Sequence, residues 1–292
     1  MRLAAYALAP DYHRQLEHRL AVLARWLARA GGLDPKRDFR IFVDTGPPVE
    51  RELLRLCGAG WVGKNTCAYV PGAGSWVLLG VVVTTLELPD AVLPDTAPPA
   101  PPDACRDCDR CVRACPVGAL TPYRLDPGAC IAQATQLRGP LPDNQRAALG
   151  GWVFGCDICQ VVCPENSPER APLAYWGHGR LRPLGGLSAR MPLLAILQLD
   201  GRSFQRQFGP TAASWRGKNV LQRNAAYAAR RWVRHDPEGQ ELAARLASLA
   251  REHPSPAVRD ACCWALVARP SRRSPEPAGR VAHPAAGRAD PP

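Results

Sequence analysis

Four cysteines within eleven residues constrain this chain more than any other feature. The run "CRDCDRCVRACP" sets Cys105, Cys108, Cys111 and Cys115 at spacings of three, three and four, with Pro116 directly behind. A stretch so dense in thiols has few apolar side chains of its own, so its order must come from what the sulfurs bind. Three uses compete. Structural zinc favours two separated pairs closing one tetrahedron, and four ligands packed together fit that poorly. Disulfides need an oxidising compartment. The opening "MRLAAYALAPDYH" has neither the apolar core of a secretory leader nor a twin arginine, so the expectation is a cytoplasmic protein. The remaining use is Cys-x2-Cys-x2-Cys-x3-Cys-Pro, the bacterial ferredoxin pattern for [4Fe–4S] clusters. Three cysteines on one tight turn reach three corners of one cube, and the fourth points to a second cube.

A second cube needs its own thiols. "CDICQVVCP" supplies Cys156, Cys159 and Cys163-Pro164, and Cys130 in "DPGACIAQ" is the nearby candidate for the eighth. The crossed rule then gives cluster one Cys105, Cys108, Cys111 and Cys163, and cluster two Cys115, Cys130, Cys156 and Cys159. Cys57, Cys67, Cys262 and Cys263 are left without assigned chemistry, as free thiols of a core.

Around this block the pattern changes twice. Before it, Leu16, Leu20, Leu23 and Leu27 recur at helical spacing over 11–30 and Gly31-Gly32 ends the run. "FRIFVD" (39–44) reads as a strand, "PPVERELLRLCGAG" as a proline-started helix, and "SWVLLGVVVTTLEL" (75–88) as a buried strand with its continuation. That alternation fits an α/β layer. "PDAVLPDTAPPAPPD" (89–103) reads as a linker. Beyond about residue 190 the pattern is helical. "QRNAAYAARRW" and "VRDACCWALVA" align Arg223 with Arg259 as paired-helix repeats of the HEAT type would, an ordinary helical bundle being the alternative. Residues 271–292 cannot bury apolar surface and are expected to be disordered.

Charge separates along the same line. Residues 171–292 hold 19 Lys+Arg against 8 Asp+Glu, whereas 1–170 hold 18 of each, so the net +11 lies wholly in the C-terminal part. Such asymmetry points to a polyanion, nucleic acid first, with an arginine-rich surface of no specific partner as the bland alternative. No apolar run is long enough to span a membrane. "GAGWVGKNT" nearly spells a phosphate-binding loop, but Asn65 holds the Ser/Thr position and a helix precedes it where a strand should. Asp44, closing "FRIFVD", admits two readings: a turn aspartate bonding its own backbone, or a proton donor at the edge of a sheet.

The order of motifs adds a resemblance. "DYH" at Asp11, "FVDTGPPVER" at Phe42, "GAGWVGKNT" at Gly58 and "GSWVLLG" at Gly74 come first. The first cysteine run with "PVGAL", "LDPGACI" at Leu125, "GCDICQVVCP" at Gly155 and "SWRGKNVLQRNA" at Ser214 follow. Together they resemble the epoxyqueuosine reductases, which reduce the epoxide of epoxyqueuosine at the wobble position of tRNA. The resemblance implies an α+β multidomain fold. Its parts would be a partial α/β cobalamin-binding domain (1–95, lacking the family's first segment), a ferredoxin-like module with two [4Fe–4S] clusters (96–175), a C-terminal HEAT-like α-helical tRNA-binding domain (176–270) and a disordered tail (271–292). It implies cobalamin near Asp44, Ala68, Leu79 and Asp157, with Asp44 as proton donor, and tRNA contacts at Arg216, Lys218, Arg223 and Arg230. The partners expected are an anticodon arm and an external single-electron donor, for a monomer with no membrane attachment. A reductive dehalogenase-like enzyme would share the cofactors but lack the basic helical part. A ferredoxin-type carrier would leave "FVDTGPPVER" unexplained, and a zinc-bearing RNA-binding module would be decided by its metal.

Overall fold

The structure, a computed structural model, describes residues 1–87, 100–173, 187, 190–233 and 239–267. Most of the expected linker and all of the expected disordered tail lie outside the described residues.

The chain opens with a short strand, β1 (Arg2–Leu3), followed by helix α1 (Tyr12–Gly31). Asp11 caps α1 by accepting the His13 N–H at 3.1 Å, and Gly32, at φ 66, turns the chain off its end. Ala24 and Ala28 let the helix approach β2 (Phe39–Phe42), where Phe39 completes a small apolar cluster. Helix α2 spans Glu50–Leu56, two residues beyond Pro48, so the prolines precede the helix instead of starting it. Strands β3 (Trp61–Val62) and β4 (Ala68–Tyr69) form a tight hairpin around Lys64-Asn65-Thr66, and the near phosphate-binding loop is therefore a β-turn. β5 is limited to Val81–Thr84, antiparallel to β2 in the register Phe39↔Thr84 to Phe42↔Val81. The expected strand over 75–88 is thus corrected. Its pairing stops where β2 ends, and Ser75 gives its N–H to Asn166 Oδ1 (2.7 Å) in place of a ladder.

In the cysteine-rich region, α3 (Asp103–Arg106) and α4 (Arg110–Ala114) lead to a hairpin of β6 (Leu120–Thr121) and β7 (Arg124–Leu125). Then come α5 (Ile131–Ala134), α6 (Asp143–Ala148), β8 (Trp152–Phe154) and α7 (Ile158–Val161). β8 pairs in parallel with β1. Residues 1–9 consequently belong to the body of the molecule, with Leu3, Ala7 and Leu8 in its main core, and the unit expected over 1–95 gives way at its start.

The remaining helices are α8 (Leu193–Leu197), α9 (Gly201–Gln207), α10 (Lys218–Ala229), α11 (Gly239–Glu252) and α12 (Pro256–Leu266). α10 runs through the centre, against α8, α12 and β8, and its small residues Ala225, Ala226 and Ala229 are fully buried. One apolar core continues from Leu3 through Phe154 to Leu246 and Cys262. Arg223 is fully buried, whereas its repeat partner Arg259 lies near the surface and bonds the His253 carbonyl at 2.7 Å. Among the described residues no helix is long and apolar enough to cross a membrane.

Candidate functional site: a thiol-lined seam and its cavity

Short helices present the thiols. Cys105 sits in α3, Cys111 in α4 and Cys159 in α7, while Cys115 closes α4, Cys130 opens α5 and Cys163 follows α7. α4 packs on α7, which brings the two sequence copies face to face. Burial, and then the charges of Cys163, Cys159 and Cys105, push the Cys111 thiol up to about 11. Cys156 is pushed up to about 12 by burial first, with Cys159 and Cys130 among its neighbours. Burial also raises Cys163, which has Cys105 beside it. Cys159 acts on both Cys111 and Cys156, so the thiols of the two sequence copies share one seam. Cys115 Sγ accepts the Ala119 N–H at 3.3 Å, the kind of hydrogen bond that stabilises a cluster thiolate. Among the described residues no three Cys, His, Asp or Glu side chains close on a single ion, and cube ligands, each on its own iron, need not. The donor set is thus all sulfur, in two groups, and fits iron–sulfur cubes.

The β3–β4 hairpin supplies a surrounding shell that the sequence did not reveal. Asn65, buried, donates to Tyr69 Oη (2.9 Å) and to the Cys159 carbonyl (3.3 Å). The Cys67 thiol donates to Cys159, which lowers the Cys159 pKa and raises that of Cys67. Cys67, left without chemistry on sequence grounds, therefore stands beside Cys159, one of the thiols expected to bind a cluster.

Cys67 also lines a cavity of ≈ 360 Å³ together with Tyr12, Asp44, Glu50, Ala68 and Leu79. A second cavity of ≈ 190 Å³ adds Tyr6 and Asp157 and shares Ser75, Val77, Leu78 and Gln160 with the first. Of the four residues expected near the corrin, Asp44, Ala68 and Leu79 line the larger cavity and Asp157 the smaller one. Asp44 adopts φ 58, a left-handed conformation that Asp tolerates better than most residues but at a cost. Its carboxylate does not close the turn. Thr45 does so, through its N–H and hydroxyl to the Val43 carbonyl. The Tyr12 hydroxyl instead donates to Asp44 Oδ2 at 2.7 Å, and His13 Nε2 stands 3.5 Å from the same oxygen. Asp11 Oδ1 holds the other side of that imidazole, 2.8 Å from Nδ1. Burial, then the bond to Asp44, raises the Tyr12 pKa, so the phenol stays a donor. Asp157 accepts the Ala5 N–H at 2.7 Å, and burial pushes its carboxyl up to about 6. One buried oxygen lining the larger cavity, Glu50 Oε1, has no hydrogen-bond partner among the described residues. An apolar wall at Val77–Leu79 with an orphaned acceptor beside it suits a large ring system edged with amide donors, as a corrin is, and the cleft offers one face for it.

Of the four residues expected to touch RNA, one is corrected outright. Arg223 is fully buried and donates to the carbonyls of Leu137 (2.6 Å), Gly139 (2.5 Å) and Ala134 (3.3 Å) and to Asn224 Oδ1. It can reach no phosphate. Arg230 lies over the Trp264 ring at 4.0 Å, Lys218 is part-buried, and Arg216 lies over the exposed Trp215 ring at 3.4 Å.

Comparison with known proteins bears on this arrangement. Residues 104–166 match the 4Fe-4S double cluster binding domain, and residues 1–45 match the model of epoxyqueuosine reductase QueG, DUF1730. Epoxyqueuosine reductase of Listeria monocytogenes is 35% identical over 257 residues, which are 88% of this chain and 62% of that protein. The chain is a homologue of the epoxyqueuosine reductases. The enzyme of the same name from Burkholderia pseudomallei is 35% identical over 91% of this chain and 63% of its own length, so the chain spans under two thirds of such relatives. Among solved structures, an epoxyqueuosine reductase bound to an epoxyqueuosine-modified tRNA-Tyr stem loop superimposes with TM-score 0.75, at 30% identity, over 91% of this chain and 65% of that one. A Bacillus subtilis epoxyqueuosine reductase, with an aspartate-bearing catalytic loop swung out of its active site, gives 0.75 at 29% identity over 90% and 65%. This helix-rich mixed fold is thus shared with epoxyqueuosine reductases.

Proposed function

We propose that the chain reduces epoxyqueuosine to queuosine at the wobble position of tRNA, acting in the cytoplasm. The observation that carries this reading is the shared cleft: the carboxylate of Asp44 and the thiol shell of Cys159 form walls of one cavity. Asp44, Ala68, Leu79 and Asp157 would hold cobalamin, and the eight thiols would hold two [4Fe–4S] clusters in the crossed arrangement. Bound there, cobalamin would supply a reducible metal for the two-electron chemistry, and the clusters would supply electrons one at a time from an external donor.

The protein's own residues handle the proton. Tyr12 and His13 both hold Asp44 Oδ2, which leaves Oδ1 for substrate. From there Asp44 would donate a proton to the epoxide oxygen as the first carbon–oxygen bond breaks, giving a hydroxyl. Recharged from solvent, it would donate a second as the other carbon–oxygen bond breaks, so that with two electrons in all the oxygen leaves as water. Tyr12 keeps the carboxyl aimed despite its left-handed backbone, and Val77, Leu78 and Leu79 add apolar surface to the same cavity. The helices α10–α12 would be the HEAT-like part that meets the anticodon arm, through Lys218 at the start of α10, Arg230 just past its end and Arg216 on the turn before it.

The test is Asp44→Asn, nearly isosteric and still able to accept from Tyr12. After anaerobic reconstitution, reduction of an epoxyqueuosine-bearing stem loop should fall by about 10²-fold or more, as for loss of a general acid. Iron content should not change. Near-normal turnover by this variant would overturn the assignment.

A further inference from the structure

Trp215 is an anomaly of placement. It is 57% exposed, yet it stands on a turn whose preceding residues, Thr211, Ala212 and Ala213, are buried. Thr211 locks that turn, its hydroxyl donating to the Phe208 carbonyl (2.8 Å) and accepting from the Ala213 N–H (3.2 Å). A large aromatic ring is therefore held out to solvent on a fixed support. Arg216 lies over the ring at 3.4 Å, and its Nε is shut away from solvent with no hydrogen-bond partner among the described residues.

A second cation joins it. Arg138 is exposed and close enough to act electrostatically on Arg216. Neither arginine forms an ion pair with a carboxylate among the described residues. The loop carrying Arg138 is pinned from beneath by the buried Arg223, which bonds the carbonyls on either side of it, those of Leu137 and Gly139. Two like charges brought together on pinned supports, without an acid between them, form a place for an anion. An exposed ring beside them offers a surface on which a base stacks.

The turn is also wired to the cleft. Pro10 bridges to Thr211, and the Asp11 N–H donates to the Pro210 carbonyl at 2.8 Å. Asp11 in turn orients His13 beside Asp44. We infer that the Trp215–Arg216 turn, with Arg138 beside it, is the seat of one unpaired base and its phosphate in a looped RNA. The inference rests on the proposed reading of the substrate as an anticodon loop and adds the specific subsite. The base stacks on Trp215, and the adjoining phosphate lies between Arg138 and Arg216.

The ring and the charges predict different signatures, which an unmodified anticodon stem loop can separate when its affinity is measured against salt. For Trp215→Ala, affinity should fall by about tenfold to a hundredfold with the salt slope unchanged, because stacking releases no counterions. Trp215→Phe should recover most of that loss. Arg138→Ala should flatten the slope by roughly 0.7, the value for one phosphate on a single strand. Wild-type binding together with equal affinity in Trp215→Ala overturns the subsite and leaves the substrate reading standing. Wild-type protein that does not bind the stem loop overturns the substrate reading and this inference with it. Iron content and melting temperature, equal in all three variants, exclude a folding cause.

Discussion

Residues 12–87 and the body built from 1–9 and 100–267 are held together by different means. The first region buries Ala24, Ala28 and Phe39 as its own cluster and leaves Val22, Leu23, Trp26, Val49, Leu56 and Val83 exposed. Its β2–β5 ladder has two strands, fewer than a sheet needs to stand alone. The body buries a continuous core in which Phe154, Leu197, Phe208, Leu221 and Leu246 are wholly enclosed. All eight thiols proposed to bind the clusters lie in the body, and Asp44 lies on the lighter region. What joins the two is largely polar. Ser75 and Asn166 exchange hydrogen bonds of 2.7 Å, Asn65 holds the Cys159 carbonyl, and the Leu173 N–H meets the Gly72 carbonyl at 2.8 Å. Gly74 sits at this seam at φ 60, where an added Cβ would fall 2.2 Å from Asn166 Oδ1. The lesson is that hydrogen bonds across the seam set the cavity's alignment, while stability and the thiols belong to the body.

Two substitutions in the body sharpen this contrast. The larger effect is expected from Cys130→Ser, which under crossed ligation should remove cluster two, about half of the iron, while Cys105, Cys108, Cys111 and Cys163 keep theirs. Iron and sulfide analysis with cluster-specific paramagnetic resonance checks this, and full iron content would break the ligand grouping. Next in size is Arg223→Met. Burial lowers that guanidinium to about 10, so it remains charged at neutral pH, balanced by carbonyl dipoles and Asn224. Removing it leaves buried acceptors without donors, and unfolding by denaturant should show a loss of about 3–5 kcal/mol. A loss below about 1 kcal/mol would mean that water reaches those carbonyls and that the body is less closed than its core implies.

The same contrast explains what could be read in advance. The double-cluster module is legible because the reach of a short turn around a cube is a local property, and cysteine spacing records it. The α1 helix and the β2 strand follow from local periodicity. Asp44 could be noticed, but its partners could not, since they depend on where the start of α1 meets the end of β2. "DYH", an acid, a phenol and an imidazole in succession, was the available signal. Arg223 was misread because an arginine on a helix is ordinarily exposed. Its burial is decided by carbonyls 84 to 89 residues away in the chain. The apolar run 75–88 was read as strand because extended chain lining a cavity and a buried strand have the same composition. The two-residue pairing of β1 with β8 leaves no pattern at all.

The smallest predicted effect tests the lighter region itself. Trp26 is 64% exposed on α1, and Val22 and Leu23, one helical turn before it, are exposed as well. A large apolar residue already in water gives up little when replaced by a polar one of similar reach, and surface substitutions away from special features usually stay within about 0.5 kcal/mol. Trp26→Gln should therefore leave the unfolding free energy and the cluster content almost unchanged, with a gain in solubility at most. The contrast with Arg223→Met is then several kcal/mol, although the wild-type residue at both positions is large. A loss near 2 kcal/mol or more for Trp26→Gln would mean that this face of α1 is covered in solution, because burying one large apolar side chain contributes about that much. The difference in burial between the two regions would then be smaller than the chain alone implies, and the covering surface could be traced by which neighbouring change, Val22→Thr or Leu23→Gln, reproduces the loss.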